Sequence, residues 1–216
     1  MKSKSDTAVL KNFGFTQCLA DNLIGYWQTT CQKAQAALDS PLLLFGKEII
    51  RSPRQAGAII PSGRRLAEAM ARHAVADKGL IVELGSGTGS VTEALLHKGL
   101  PPERIIAVEQ SAEMTSYLRS RFPRITVIDG DATRLTQLLP EWSIDTIVSS
   151  IPLVSLPSSD RESIIQQIQQ VANGKLFIQF TYFWGGRYLE DAGFKPLYTE
   201  LVLKNFPPAR VMTFTV

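Results

Sequence analysis

Apolar residues fall into five short runs along the middle of the chain: "LIVEL" (80–84), "RIIAVE" (104–109), "RITVID" (124–129), "DTIVSS" (145–150) and "KLFIQFTYF" (175–183). Their length and β-branched character predict strands. Between and before them, apolar positions recur at helical spacing over Ser62 to Val75, Val91 to Leu96, Ala112 to Arg121 and Asp160 to Val171. Strands separated by helices of this length imply βαβ crossovers and a mostly parallel sheet with helices on both faces. Ser62 and Asp160 are the expected N-caps, and Gly79, Gly99 and Gly174 stand where helix-to-strand turns need them. Beyond residue 183 the pattern changes to "FKPLYTELVLKNF" and "ARVMTFTV", which alternate like strands around Pro207 and Pro208. They predict an antiparallel hairpin that closes the sheet edge.

The expected fold is therefore a doubly wound, Rossmann-like α/β sheet, mostly parallel with an antiparallel C-terminal strand. The region before about residue 60 carries no strand signal and reads as a helical extension, giving residues 1–60 and 61–216 as the two parts of the chain. With 216 residues, of which 44% are hydrophobic, the chain can bury a substantial core. No apolar run reaches the roughly 18 residues that span a bilayer, and the N-terminus lacks the continuous hydrophobic stretch of a signal peptide. A cytoplasmic protein is expected. Cys18 and Cys31 lack a companion histidine cluster, so they read as reduced thiols and no metal is expected. His73 and His97 have no evident partner in the sequence, and no chemistry is assigned to them.

The first strand runs into "VELGSGTGS" (82–90), where three glycines alternate. In an open parallel sheet this first strand-to-helix loop is where a ligand meets bare backbone. The spacing is G-x-G-x-G at Gly85, Gly87 and Gly89, with Ser90 where a dinucleotide fingerprint has its third glycine. Glu83 at the loop's entrance repels a pyrophosphate and attracts a cation. S-adenosylmethionine, with a sulfonium and an ammonium and no phosphate, satisfies both features. The second strand ends in Glu109, followed by Gln110, at the position where an acid accepts ribose hydroxyls. The third ends in "DGDA" (129–132), which places Asp131 for the adenine amine and the Ala132 backbone for a ring nitrogen. Ser86 completes the expected cofactor set. The order of these acids on successive strand ends resembles the class I S-adenosylmethionine-dependent methyltransferases.

The fourth strand ends in "SSIPL" (149–153), where amine-methylating members of that class carry a short motif ending in X-Pro-aromatic. An amine must point its lone pair at the methyl carbon, and oxygens that accept its N–H groups hold it so. Ser150 Oγ and the Ile151 carbonyl are the expected acceptors, and Tyr182 is the aromatic expected beside the increasingly cationic nitrogen. Leu153 stands where base-methylating enzymes stack an aromatic, which argues against a planar base.

Further blocks, "SPRQAGAIIPSGRRLAEAMA" (52–71), "VSSIPLVSLP" (148–157), "FIQFTY" (177–182) and "NFPPARV" (205–211), resemble the bacterial phospholipid N-methyltransferases. The resemblance runs from about residue 50 to the C-terminus. It implies stepwise methylation of the head-group amine of phosphatidylethanolamine, or of another amino-lipid such as an ornithine lipid, without a metal. Asn205 and Arg210 are candidates for a lipid phosphate. Two other readings stay open: an RNA adenine N6-methyltransferase of similar fold, and a non-catalytic module that keeps the fold.

Charge adds a partner to this picture. The net charge is +3, yet residues 1–72 carry ten Lys and Arg against five Asp and Glu, and the remainder thirteen against fifteen. Leu19, Leu23, Tyr26, Trp27, Thr30, Ala34, Ala37 and Leu38 share one broad side of a predicted helix, and "LLLFGKEIIRSPR" follows with Lys47, Arg51 and Arg54. Apolar residues beside cations suit an anionic membrane surface. Peripheral membrane association is therefore expected, with nucleic acid disfavoured by the modest net charge. A lid over the cofactor is the other reading of this segment.

Overall fold

The computed structural model describes residues 61–181, 187–203, 205 and 208–216, with backbone alone at Pro61 and Ser62. The expectations for residues 1–60 and for Tyr182 lie outside the described residues. Within the described part the chain runs α1 (Pro61–His73), β1 (Leu80–Leu84), α2 (Ser90–His97), β2 (Ile105–Glu109), α3 (Ala112–Arg121), β3 (Thr126–Asp129), α4 (Leu135–Leu138), β4 (Ile144–Ser149), α5 (Ser158–Val171), β5 (Leu176–Thr181), α6 (Tyr188–Asp191), β6 (Lys195–Val202) and β7 (Ala209–Thr215). Short 3-10 turns occupy Pro102–Arg104, Ala132–Arg134 and Leu153–Ser155.

The strands form one seven-stranded sheet in the order β3-β2-β1-β4-β5-β7-β6. Strands β1 to β5 pair in parallel, and β7 runs antiparallel to both β5 and β6. The chain thus inserts its last strand between β5 and the edge strand β6. Because adjacent strand residues face opposite sides, Ile81 and Val82 belong to different cores. Val82, Leu84, Ile147, Phe177 and Phe214 pack with Ile164, Ile165 and Ile168 of α5 on one face. Ile81, Ile105, Val148 and Ile178 pack with Leu66 and Met70 of α1 and Leu95 of α2 on the other. Burial on both faces explains why the parallel strands read as unbroken apolar runs rather than alternating ones.

Helix boundaries differ from expectation at two caps. Helix α1 begins at Pro61, so Ser62 lies inside its first turn rather than at the N-cap, and proline suits a first position whose N–H has no helical partner. Helix α5 begins at Ser158 after Pro157, which leaves Asp160 in the first turn, where its carboxylate favours the helix dipole. His73, expected without a partner, packs against Tyr198 with the rings tilted by 41° and their centroids 4.5 Å apart, and approaches Glu200 at 3.5 Å. No described helix is long and apolar enough to cross a membrane.

The strand order reverses between β1 and β4, since β2 and β3 lie to one side of β1 and β4 and β5 to the other. The loops leaving the two central strands part there in opposite directions and open a crevice at their carboxyl ends.

Candidate active site

The first wall of that crevice is the glycine loop after β1. Gly85, Gly87 and Gly89 all adopt positive φ, at 69°, 52° and 83°. Two of them also have no room for a side chain. A Cβ on Gly85 would stand 2.9 Å from Ile151 Cγ1, and one on Gly89 would enter the ring of Phe122 and stand 2.9 Å from Leu118 Cδ2. Gly89 is the residue from which α2 starts. The alternation of glycines therefore lets the loop fold back between α3 and the turn after β4.

Glu83 is fully buried at the end of β1, and Thr92 of α2 donates its hydroxyl to Glu83 Oε2 at 2.5 Å. Glu83 Oε1 has no hydrogen-bond partner among the described residues, and neither has the buried Ser86 Oγ. Burial pushes the Glu83 carboxyl up to about 8, against the opposing pull of Thr92 and Ser86, while the charge of Glu109 raises it further. A buried acid with a vacant oxygen and a second acid nearby is an environment that favours a cation.

Glu109 and Asp131 extend the acidic line along the strand ends. Glu109 accepts the Gly87 N–H at Oε2, 2.8 Å, and the Ser111 N–H at Oε1, 2.9 Å, so it ties the glycine loop to the start of α3. Asp131 Oδ1 caps the following turn by accepting the Thr133 N–H at 2.8 Å, while Gln110 Nε2 reaches Oδ2 at 3.5 Å. Ala132 is buried directly after Asp131. The structure thus brings Glu83, Gly85, Ser86, Gly87, Gly89, Glu109, Gln110, Asp131 and Ala132 to the carboxyl ends of three adjacent strands, β1, β2 and β3.

The other wall is the turn after β4. Ser150 donates its backbone N–H to the Leu84 carbonyl at 2.8 Å, which fastens the turn to the end of β1, and its buried Oγ has no partner among the described residues. Ile151 differs from expectation. Its carbonyl already accepts the Leu153 N–H at 2.8 Å and Gln179 Nε2 at 3.0 Å, so both lone pairs are engaged within the protein. Ser150 Oγ is left as the vacant acceptor of the pair. Leu153 is 1% exposed and packs in the α5-side core, so it presents no surface on which a base could stack. Asn205 is buried and Arg210 sits within β7, and each is engaged inside the protein.

Two contributors were not foreseen from sequence. Thr92 is an ordinary helix residue until the fold sets it under Glu83. Gln179 had a signal, a lone amide amid the apolar run "KLFIQFTYF", and in the structure it is fully buried.

A mostly parallel sheet with this strand order, a glycine loop at its switch point and an acid at or just after each of three strand ends defines a Rossmann-like α/β fold with its polar groups gathered at the switch point. Comparison with known proteins narrows the class. A family model described as a methyltransferase domain matches residues 81–174. The ornithine lipid N-methyltransferase of Singulisphaera acidiphila is 30% identical over 138 residues, covering 60% of this chain and 72% of that protein. The ribosomal RNA small subunit methyltransferase A of a Synechococcus species is 30% identical over 146 residues, covering 64% of this chain but 48% of that protein. The chain spans about half the length of several further curated methyltransferases that it matches. Among solved structures, the Burkholderia thailandensis 1,6-didemethyltoxoflavin-N1-methyltransferase, with S-adenosylhomocysteine bound, superposes with a TM-score of 0.61 at 15% identity, over 78% of this chain and 85% of that one. The chain belongs to the class I S-adenosylmethionine-dependent methyltransferases. It is a methyltransferase whose methyl donor is S-adenosylmethionine.

Proposed function

We propose that the enzyme methylates the head-group amine of a membrane amino-lipid, with phosphatidylethanolamine and its partly methylated forms as the favoured acceptors. The observation that carries this reading is Ser150, whose vacant, buried hydroxyl is fixed by a backbone hydrogen bond to the end of the cofactor-binding strand β1. A hydroxyl so placed accepts an N–H and turns the nitrogen lone pair towards the donor. The sequence blocks around it resemble phospholipid N-methyltransferases, and one relative is an ornithine lipid N-methyltransferase. The buried Leu153 removes the stacking surface that an adenine acceptor requires, which sets the RNA reading second despite the ribosomal RNA methyltransferase among the relatives.

The vacant Glu83 Oε1 and Ser86 Oγ fit the cationic amino-acid end of the donor. Glu109 has lone pairs left for ribose hydroxyls, and Asp131 with the Ala132 backbone is assigned to adenine. When bound, S-adenosylmethionine supplies an already activated methyl group and leaves as S-adenosylhomocysteine. The protein's own contribution is alignment, which is worth several orders of magnitude when two reactants are held in line. The amine, having first given its ammonium proton to solvent, would take the methyl carbon as the sulfur–methyl bond breaks, with Ser150 Oγ accepting an N–H to keep the lone pair in line. Tyr182 and the basic, apolar segment before residue 55 are assigned to the amine and to an anionic bilayer, respectively.

Expression in a host that makes phosphatidylethanolamine but no methylated derivative tests the assignment. Mono-, di- or trimethylated ethanolamine lipids in the extract are the expected result. Unchanged lipids with newly dimethylated adenine in ribosomal RNA would replace this reading by the second.

A further inference from the structure

Gln179 lies in β5 beside Ser149 of β4, in register across the parallel pair. It has no solvent exposure, although a buried amide is costly unless each of its polar atoms finds a partner. Its Nε2 donates to the Ile151 carbonyl at 3.0 Å and to the Phe180 carbonyl at 2.8 Å. Both partners are acceptors only, which fixes the amide orientation with nitrogen towards them. Oε1 is buried and has no partner among the described residues, a cost that a hydrophobic side chain of the same size would avoid.

That cost falls at one place in the fold. The Ser150–Ile151 turn is grasped from three sides: Leu84 O takes the Ser150 N–H, Ser149 Oγ takes the Ile151 N–H at 3.3 Å, and Gln179 holds the Ile151 carbonyl. Gly85 closes the fourth side, where even a methyl group would strike Ile151. Gln179 supplies the side-chain link from β5 to the turn that carries Ser150 Oγ.

We infer that Gln179 is a positioning residue for methyl transfer, which sets the direction of Ser150 Oγ by anchoring the Ile151 carbonyl. It touches neither donor nor acceptor and acts through Ser150, so the inference rests on the assignment of Ser150 made above. Gln179→Leu removes both N–H donors at nearly constant volume and detaches the Ile151 carbonyl from β5, while the bonds from Ser150 N–H to Leu84 O and from Ile151 N–H to Ser149 Oγ remain.

The test is a double-mutant cycle on turnover. Wild type, Gln179→Leu, Ser150→Ala and the double variant are assayed with labelled S-adenosylmethionine on phosphatidylethanolamine and on ornithine lipid in mixed detergent micelles. Calorimetric S-adenosylhomocysteine binding checks that each protein is folded. Gln179→Leu is expected to lower kcat roughly tenfold, as for one hydrogen bond lost from the transition state, with S-adenosylhomocysteine affinity within about twofold of wild type. The double variant is expected to be no slower than Ser150→Ala alone. Losses that multiply in the double variant, or an unimpaired Gln179→Leu, overturn the role of Gln179 while leaving Ser150 in place. An unimpaired Ser150→Ala overturns the Ser150 assignment, and a wild type inactive on both lipids overturns the proposed function; this inference falls with either. Gln179→Met, a more flexible replacement, takes the place of Leu in the cycle if the first variant does not bind S-adenosylhomocysteine.

Discussion

Glu83 shows how one buried residue can report on a ligand. Its carboxyl is pushed up to about 8 from an ordinary 4.5, with burial as the main cause. The folded protein therefore keeps a proton that the unfolded chain releases. It follows that the stability contributed at this site is greatest below about 4.5, declines as pH rises towards about 8, and is constant above it. Glu83→Gln is expected to remove that decline, as measured by denaturant unfolding across the same pH range. A bound cation reverses the electrostatics and favours the carboxylate. At pH 7, S-adenosylmethionine binding is then expected to release up to one proton, seen as a heat that varies with the ionisation enthalpy of the buffer. Buffer-independent heats for the wild type would separate Glu83 from the cationic end of the donor.

The elements divide into those that build the crevice and those that hold the sheet at its far end. Gly89 belongs to the first group. Gly89→Ala must place an L residue at a φ of 83° and displace Phe122, so it is expected to cost at least about 1–2 kcal/mol in unfolding and to weaken S-adenosylmethionine binding as well. Asp145 belongs to the second. Its Oδ2 accepts the N–H groups of Asp77, Lys78 and Gly79 at 2.9, 3.0 and 2.6 Å and fastens the start of β1 to β4. Asp145→Ala is expected to lose about 2 kcal/mol of stability, the worth of a hydrogen bond to a charged group, with donor affinity within about twofold of wild type. An equal loss of affinity in both variants would show that the two ends of the sheet are coupled.

The same division explains what could be read from sequence. Strand β1 matches its predicted run at Leu80–Leu84, because five apolar-flanked residues buried on both faces leave little freedom of boundary. The glycine loop was legible for a similar reason, since positive φ and close approach require glycine, and the acids stand at the strand ends where the sequence put them, with Glu109 and Asp131 also tying the loop and capping a turn. Polar side chains that serve the site from behind were not legible. Thr92 and Gln179 acquire their partners only when α2 crosses under β1 and β5 aligns with β4, contacts that no local pattern encodes. The saturated Ile151 carbonyl is the same lesson for backbone. Sequence can mark the turn, but the number of donors that reach it is a tertiary fact.

At the scale of the whole molecule, the front of the chain is basic and the remainder slightly acidic. A substrate that stays in a bilayer requires the enzyme to come to it, and each Lys or Arg near an anionic surface adds about 1 kcal/mol within a Debye length of roughly 8 Å. Vesicle sedimentation is expected to show binding that rises with anionic lipid content, falls in part with added salt, and drops sharply when residues 1–45 are removed. Retained binding after that removal would place the membrane contact elsewhere in the chain.

Methyl transfer to a lipid amine is the central claim, and purified enzyme with methyl-labelled S-adenosylmethionine tests it most directly. Vesicles of phosphatidylethanolamine mixed with an anionic lipid and, separately, unmethylated small-subunit ribosomal RNA are offered as acceptors under the same conditions. The account predicts label in the ethanolamine head group, with mono- and dimethylated forms appearing in succession, and at least tenfold less of it in Ser150→Ala. Label confined to the RNA, or lipid methylation that is indifferent to Ser150, would contradict it.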